Sequence, residues 1–212
     1  MYELGPPFSG VSVPPGTNIL LSGPPLTGKR SLAMEALAVG ARRGHGTIIV
    51  STRDSVARMR DVFDALTGEE AEVAVVDAVT EHIGKSTDAD MTKSVPSPRD
   101  IGEIGVKSSE FIQTFYTEQR REHNRVMVDS LTTLLLYTNL RTVFRFLHVF
   151  TSRVENVDGL GLYTVESTAH DTEALSMLGQ LFDATLDVAA DGTATFTLPD
   201  GDVRTATLDG AE

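Results

Sequence analysis

Residues 23–29 constrain the fold of this chain more than any other part of its sequence. They read Gly-Pro-Pro-Leu-Thr-Gly-Lys and lie between an apolar run, residues 18–21, and a helical pattern, residues 31–41. A strand, a glycine-bounded loop ending in lysine, and a helix, in this order, are typical of a phosphate-binding loop. In such a loop the backbone N–H groups and the helix N-terminus hold the phosphates. An ordinary turn between strand and helix is the alternative interpretation.

The sequence therefore predicts a nucleotide site at residues 23–29, which we call the phosphate loop. Gly28 is expected to allow close approach of the phosphates, and Lys29 to reach the terminal ones. The residues predicted to bind the nucleotide are Gly23, Pro24, Pro25, Leu26, Thr27, Gly28, Lys29, Arg30 and Ser31.

Position 30 departs from the usual pattern of such a loop. A serine or threonine, whose hydroxyl binds Mg²⁺, is expected there, but the residue is Arg30. Arginine cannot ligate a cation, and Ser31 is turned by about 100° around the helix. The sequence leaves two roles open for Arg30: a direct contact with phosphate as a fixed charge, or a place on the surface. Mg²⁺ must then be held by other groups or not at all.

A second candidate residue ends a short buried strand. Residues 126–128 are apolar, and Asp129 follows them. A carboxylate at the end of such a strand suits the orientation of Mg²⁺ and its waters, so Asp129 is predicted to hold Mg²⁺ through water. The alternative is an aspartate that caps the following segment. Taken together with the phosphate loop, the metal role is favoured.

Five continuous apolar runs predict strands that are buried on both faces of a sheet. They are residues 18–21, 47–50, 73–76, 126–128 and 161–165. Helical patterns between them cover residues 31–41, 56–68, a segment after Gly105, and residues 143–157. Strands that alternate with crossover helices form a mostly parallel sheet flanked by helices. The fold class is therefore α/β, and ligands are expected beyond the carboxyl ends of the strands.

The last part of the chain follows a different pattern. Residues 183–208 contain short alternating runs separated by two Asp-Gly turns, which predict a C-terminal antiparallel β-meander built of hairpins. Residues 81–109 show no clear period and are predicted to form a long variable loop. We expect residues 1–212 to form a single domain.

Composition excludes several classes of function. The chain has 212 residues, no cysteine and a formal net charge of −12. Disulfide frameworks, cysteine-zinc sites and thiol nucleophiles are therefore excluded, and the acidic surface opposes nucleic-acid binding. No run approaches the roughly 18 apolar residues of a spanning helix, so we expect no membrane association and a cytoplasmic location. Abundant acidic residues with few lysines indicate a surface that stays hydrated in concentrated salt, as in halophiles.

The motifs resemble those of the RecA-like P-loop ATPases, and within them the KaiC-like branch. Residues 13–25 are similar to the segment that leads into the Walker A loop of that family, and residues 128–132 to its Walker B strand. The resemblance implies a RecA-like P-loop NTPase fold with ATP or ADP as ligand, with or without Mg²⁺. Such domains often assemble into rings or filaments, so the resemblance is compatible with a homo-oligomer, and the sequence leaves the oligomeric state open. Haloarchaeal members of the branch are often described as signalling ATPases.

The same resemblance implies a pair of glutamates after the second strand, one of which activates the attacking water. Arg53 and Asp54 stand at those positions. Asp54 is the candidate catalytic residue, but it is one methylene shorter than glutamate, and such a misplacement can cost about a hundredfold in rate. The alternative role for Asp54 is a helix N-cap. His170 stands near a position that senses the terminal phosphate in such folds, or else begins a helix.

The retained and altered residues together favour one function. The groups that bind phosphate in the ground state remain, whereas those that place the metal and activate water are altered. We therefore expect a nucleotide-binding regulatory or signal-transduction protein with weak or absent hydrolysis and an unknown protein partner. The alternatives are an active Mg²⁺-dependent ATPase with Asp54 or Glu166 as base, a DNA recombinase-type ATPase, and a small-molecule kinase.

Overall fold

The computed structural model describes residues 1–68, 71–86 and 89–208. Eleven strands lie in these residues: β1 Tyr2–Glu3, β2 Ser12–Val13, β3 Asn18–Gly23, β4 Gly46–Ser51, β5 Ala74–Asp77, β6 Thr92–Ser94, β7 Asn124–Asp129, β8 Leu160–Glu166, β9 Ala184–Val188, β10 Thr193–Thr197 and β11 Val203–Thr207. Six α-helices accompany them: α1 Lys29–Ala41, α2 Val56–Thr67, α3 Ile101–Gln113, α4 Leu131–Tyr137, α5 Leu140–Asn156 and α6 Thr172–Gly179.

Nine of these strands form one sheet in the order β11-β10-β9-β3-β8-β7-β4-β5-β6. All neighbours from β9 to β6 are parallel, whereas β10 is antiparallel to both β9 and β11. The predicted α/β class, with a mostly parallel sheet and a C-terminal antiparallel meander, is confirmed. The first strand of that meander, β9, also joins the parallel part of the sheet beside β3.

The central parallel strands contain continuous apolar runs because both of their faces are covered. In β3, Ile19 and Leu21 pack on the side of α1 and α2, whereas Leu20 packs on the side of α3 and α5. Successive side chains of a strand point to opposite faces, so a continuous apolar run is what a doubly covered strand requires. The five predicted runs correspond to β3, β4, β5, β7 and β8.

The prediction for residues 81–109 was too simple, because ordered elements lie within this segment. Strand β6 pairs with β5 over only three residues, and α3 begins at Ile101 rather than after Gly105. Gly102 and Gly105 lower the helix propensity of this stretch, which hid the helix start from sequence reasoning. Ile101 and Ile104 nevertheless belong to the core. Residues 87 and 88 of the predicted loop lie outside the described residues.

Within the described ranges, the helices are all too short or too polar to cross a lipid bilayer.

Candidate functional site

The site lies at the carboxyl edge of the sheet, where the parallel strands end. Strand β3 ends at Gly23, and Glu166, the last residue of β8, stands beside it in register. Asp129, the last residue of β7, stands beside the last residue of β4, Ser51. Four strand ends therefore bring together residues that are far apart in the sequence. Such an edge is where open α/β sheets bind ligands.

The phosphate loop takes the conformation that its glycines permit. Gly28 has φ of 84° and Leu26 has φ of 60°, both in the left-handed region. The Thr27 hydroxyl donates to the Pro24 carbonyl at 3.0 Å and closes the loop on itself. A Cβ atom at Gly23 would lie 2.4 Å from the Val188 carbonyl oxygen, so only glycine fits there. The loop is thus held tightly between β9 and α1.

The N-terminus of α1 offers unpaired donors. The helix has no side-chain cap, and among the described residues the first amide near its start with a backbone partner is that of Leu32, which donates to Gly28 at 3.0 Å. The preceding helical amides, at residues 29–31, have no acceptor in the described parts of the chain. Unpaired amides and the helix dipole together make a favourable place for an anion.

These groups line a cavity of about 200 Å³. Residues 25–31 form one side of it, and Arg53, Asp129, Thr164 and Glu166 form the other. The structure therefore brings together most of the predicted phosphate-binding residues and adds three polar groups from other strands. That these residues bind nucleotide remains a prediction.

A larger cavity, about 650 Å³, lies between α3 and α5 and shares no residue with the phosphate loop. Its lining includes both arginines and acidic residues, namely Arg99, Asp100, Glu103, Arg145 and Arg153. Because the charges are mixed, they identify no class of ligand. We therefore assign the candidate site to the smaller cavity.

Lys29 is buried and already has two partners. Its ammonium group donates to the Pro24 carbonyl at 2.8 Å and forms an ion pair with Glu166 at 2.9 Å. The other carboxylate oxygen of Glu166 lies 3.7 Å from the Arg53 guanidinium. A phosphate that uses Lys29 must therefore share it with Glu166 or displace that carboxylate. The sequence indicated Glu166 only as an alternative base and gave no sign of this pair.

Arg30 does not lie free on the surface, whereas its predicted contact with phosphate stays a prediction. Its Nε lies 2.6 Å from Asp129 Oδ2, and its Nη2 lies 2.6 Å from Asp54 Oδ2. The contact with Asp129 is a hydrogen-bonded ion pair, whereas the contact with Asp54 is an ion pair by distance without hydrogen-bond alignment. The side chain is 21% exposed, so it does not lie free on the surface. One guanidinium therefore neutralises part of the charge of two carboxylates.

Asp129 is almost fully buried, with 1% of its side chain exposed. Its Oδ1 accepts a hydrogen bond from the Thr164 hydroxyl at 3.1 Å, and its Oδ2 is held by Arg30. The Asp129–Ser130 peptide bond is cis. Both carboxylate oxygens are thus engaged by the protein itself.

The residues present do not fit a Mg²⁺ ion at Asp129. Mg²⁺ requires a near-octahedral set of oxygen ligands at about 2.0–2.1 Å. Position 30 supplies a cation instead of a hydroxyl, and its Nε is in contact with the carboxylate oxygen that would face a hydrated ion. In the described residues no three histidine, aspartate or glutamate side chains converge as metal ligands. The donor set therefore disagrees with the predicted water-mediated metal site.

Asp54 is not the N-cap of α2, so that alternative was wrong. The N-cap is Ser55, and the Asp54 carbonyl accepts a hydrogen bond from Ser51 Oγ at 2.5 Å. The Asp54 carboxylate lies between Arg30 and Arg58, the latter at 3.7 Å. Its part as catalytic base remains a prediction. A carboxylate held by two guanidinium groups is nevertheless poorly placed to orient a water molecule.

His170 lies near the same edge and is linked to Glu166 through Thr132. The Thr132 hydroxyl accepts from the Glu166 amide at 2.9 Å and lies 3.1 Å from His170 Nε2. Burial lowers the pKa of His170, and the nearby Asp171 partly offsets this effect. Helix α6 is capped by the Asp171 side chain, so His170 precedes the helix rather than beginning it.

A protein-family model covers most of the chain. A family model described as a family of unknown function, DUF7504, matches residues 16–188, which include the phosphate loop and the ends of all four strands at the site. The chain belongs to the DUF7504 family. No curated protein matches this DUF7504 chain.

Two solved archaeal structures show the fold of this DUF7504 chain. The KaiC-like protein PH0186 of Pyrococcus horikoshii is 15% identical with a TM-score of 0.64, over 94% of this chain and 89% of that one. The flagellar accessory protein FlaH of Methanocaldococcus jannaschii is 16% identical with a TM-score of 0.54, over 92% of this chain and 78% of that one. The chain therefore has the RecA-like ATPase fold of its KaiC-like neighbours.

Proposed function

We propose that this DUF7504 protein binds ATP or ADP at the phosphate loop, hydrolyses ATP weakly or not at all, and passes its bound or empty state to a protein partner. The observation that carries the proposal is the position of Arg30. Its guanidinium engages Asp129 and Asp54, the two carboxylates that catalysis would need, while the amides at the start of α1 stay unpaired.

Binding is supported by the groups that face the cavity. The unpaired amides of residues 29–31, the α1 dipole and Lys29 act on a phosphate in its ground state. Arg53 adds a half-exposed guanidinium at the rim of the same cavity. None of these groups depends on the carboxylates that Arg30 occupies. The chain can therefore retain binding while its catalytic groups are altered.

Weak turnover follows from what the transition state requires. Phosphoryl transfer needs positive charge on the phosphate oxygens and a group that orients the nucleophile. Asp129 and Asp54 are tied to Arg30, and Glu166 is tied to Lys29. Interactions made only in the transition state raise the rate, whereas those made equally in the ground state support binding alone. The geometry favours interactions that support binding alone.

The Lys29–Glu166 pair connects the occupancy of the phosphate loop to residues outside it. A phosphate that competes for Lys29 weakens its hold on Glu166, which ends β8 and is followed by the turn of residues 167–169. The Glu166 amide shares Thr132 with His170, which directly precedes α6. Occupancy of the loop is thereby coupled to the segment between β8 and α6.

Calorimetry with ADP and ATP, beside a phosphate-release assay on the same sample, tests this proposal. We expect binding with little or no release, and Lys29→Ala should weaken binding by about 10–100-fold because a charge-assisted hydrogen bond is lost. Lys93→Ala is the matched control, since it removes a lysine that pairs with Glu110 away from the loop. Circular dichroism establishes that both variants are folded.

Two outcomes would contradict the proposal. Release of phosphate that needs Mg²⁺ and disappears in Lys29→Ala would identify an active ATPase instead. Absence of any nucleotide binding by the folded wild-type protein would leave only an interaction scaffold with this fold.

A further inference from the structure

We infer that Arg30 is a built-in substitute for Mg²⁺, so that the phosphate loop takes a nucleoside di- or triphosphate without a metal ion. This inference rests on the proposed nucleotide binding and extends it by naming the form of the nucleotide. It begins from the disagreement between the donor set at Asp129 and the needs of a Mg²⁺ ion.

The Arg30 guanidinium lies between two carboxylates. Arg30 follows Lys29 in the first turn of α1, and its side chain reaches two carboxylates from different strand ends. Asp129 ends β7, and Asp54 lies three residues beyond the end of the neighbouring strand β4. A cation bound between these groups would stand where the Arg30 guanidinium now lies.

The charge of Asp129 is balanced by Arg30. A carboxylate as buried as that of Asp129 needs a cation or several hydrogen bonds to remain ionised. Arg30 supplies a permanent positive charge at 2.6 Å. A divalent ion would have to displace this guanidinium or lie beside it, and like charges at contact distance repel strongly where water is excluded.

Both carboxylate oxygens of Asp129 already have partners in the protein. Thr164 occupies one oxygen of Asp129 and Arg30 occupies the other. Arginine has five N–H donors and no acceptor, so it cannot complete a coordination shell. A Mg²⁺ ion that arrived with the nucleotide would therefore find both Asp129 oxygens already accepting from protein donors, with the Arg30 guanidinium in contact with Oδ2. It would gain little from the site beyond its own contacts with phosphate and water.

The Arg30 guanidinium has a nitrogen, Nη1, that can donate to the ligand. Only Nε and Nη2 contact its carboxylate and thioether neighbours, and no partner in the described residues engages Nη1. Arg30 and Arg53 both line the cavity beside Lys29. Guanidinium groups suit phosphate oxygens because they present several N–H donors in a fixed plane. The site thus carries its own cations for a metal-free polyphosphate.

The binding test compares ADP affinity in Mg²⁺ with affinity in EDTA, at matched ionic strength. Wild-type protein should bind equally well in both, whereas Arg30→Ser should bind at least about tenfold more tightly with Mg²⁺, a change of about 1.4 kcal/mol. Arg58→Ser is the matched control, because Arg58 contacts the same Asp54 carboxylate but lies mostly exposed. It should remain independent of Mg²⁺.

A second arm needs no nucleotide and no activity. Arg30→Ser should lower the melting temperature by about 5–10 °C, because it leaves the buried Asp129 carboxylate without its cation, and Mg²⁺ should restore part of that loss. Mg²⁺ should not shift the wild type or Arg58→Ser. If Arg30→Ser does not fold, Arg30→Lys keeps the charge, and both it and the wild type should show no bound Mn²⁺ by electron paramagnetic resonance with ADP present.

The outcomes separate this inference from the proposed function. Wild-type binding that is tenfold tighter with Mg²⁺, or a bound Mn²⁺ signal from the wild type, overturns the inference and leaves nucleotide binding standing. If wild-type protein binds no nucleotide in either buffer, the proposed function fails, and with it the assignment of a metal-free ligand. The melting experiment then decides the rest: a Mg²⁺ response in Arg30→Ser alone supports the replacement of the ion, and no response overturns it.

Discussion

Two arginines lie at opposite edges of the parallel sheet, and their partners differ. At the carboxyl edge, Arg30 contacts the carboxylates of Asp54 and Asp129. At the amino edge, Arg125 of β7 is fully buried and has no carboxylate partner within the described residues. Its guanidinium donates instead to the carbonyls of Glu3 and Ala36 and to His45 Nδ1.

The difference shows how the surroundings of a buried cation decide its role. Carbonyl groups fix Arg125 by geometry, and burial lowers its pKa to about 10 because the charge is poorly compensated. The carboxylates around Arg30, in contrast, compensate its charge. The amino edge is therefore a structural centre, and the carboxyl edge is the candidate site for charged ligands. Three predictions test this comparison.

The largest effect is expected at the amino edge. Arg125→Ala should lower the free energy of unfolding by about 3 kcal/mol, because it opens a cavity and removes the donors to the Glu3 and Ala36 carbonyls and to His45. The affinity for ADP should not change, since the residue is at the other end of β7 from Asp129. Chemical denaturation and calorimetry measure the two quantities. A change in affinity without loss of stability would break the comparison.

The next effect concerns the Lys29–Glu166 pair. Glu166→Gln removes the carboxylate that competes with phosphate for Lys29, so ADP should bind about tenfold more tightly. Glu110→Gln, which disrupts the distant pair with Lys93, serves as control and should leave the affinity unchanged. Titration calorimetry of both variants decides the matter. Unchanged or weaker binding in Glu166→Gln would show that this pair does not oppose phosphate binding.

The smallest effect is a pH dependence at the amino edge. Burial, together with the nearby charges of Arg125, His123 and Arg43, lowers the pKa of His45 to about 4. The unfolded chain therefore takes up a proton near pH 6.5 that the folded chain takes up only near pH 4, so stability falls as the pH drops through this window. The ring is only half-buried, so solvent screening limits the loss to about 1 kcal/mol.

Melting curves of the wild type and His45→Gln between pH 7 and about pH 4 measure this effect. The variant lacks the titrating ring, so its stability should fall less with decreasing pH. Parallel curves for the two proteins would show that His45 contributes nothing.

The sequence indicated most of the sheet but not all of its elements. The runs in β3, β4, β7 and β8 were evident because strands covered on both faces are apolar without interruption. Strand β6 was missed because it has three residues of which none is buried, and the start of α3 because its glycines are poor helix formers. Short elements that are stabilised mainly by tertiary pairing show no clear hydrophobic pattern in the local sequence.

The site was predicted where the signal was local and missed where it was distant. The spacing of the phosphate loop lies within seven consecutive residues, so it could be read directly. The Arg30–Asp129 contact joins residues 99 positions apart, and no local pattern reports it. The sequence did contain an indirect signal for this contact. Position 30 has a long basic side chain where a hydroxyl is expected, and position 54 has aspartate where the longer glutamate is expected. These two changes are compatible because the shorter Asp54 leaves space for the guanidinium.

The position of β3 has a consequence for how the chain is made. This strand is translated well before its two neighbours in the sheet, β8 and β9, which come from residues 160–166 and 184–188. The Gly23 contact with Val188 likewise joins the two ends of this span. During synthesis β3 therefore has no neighbouring strand to pair with until β8 has emerged, and such long-range pairing is slow. The phosphate loop is thus made long before the strands that support it.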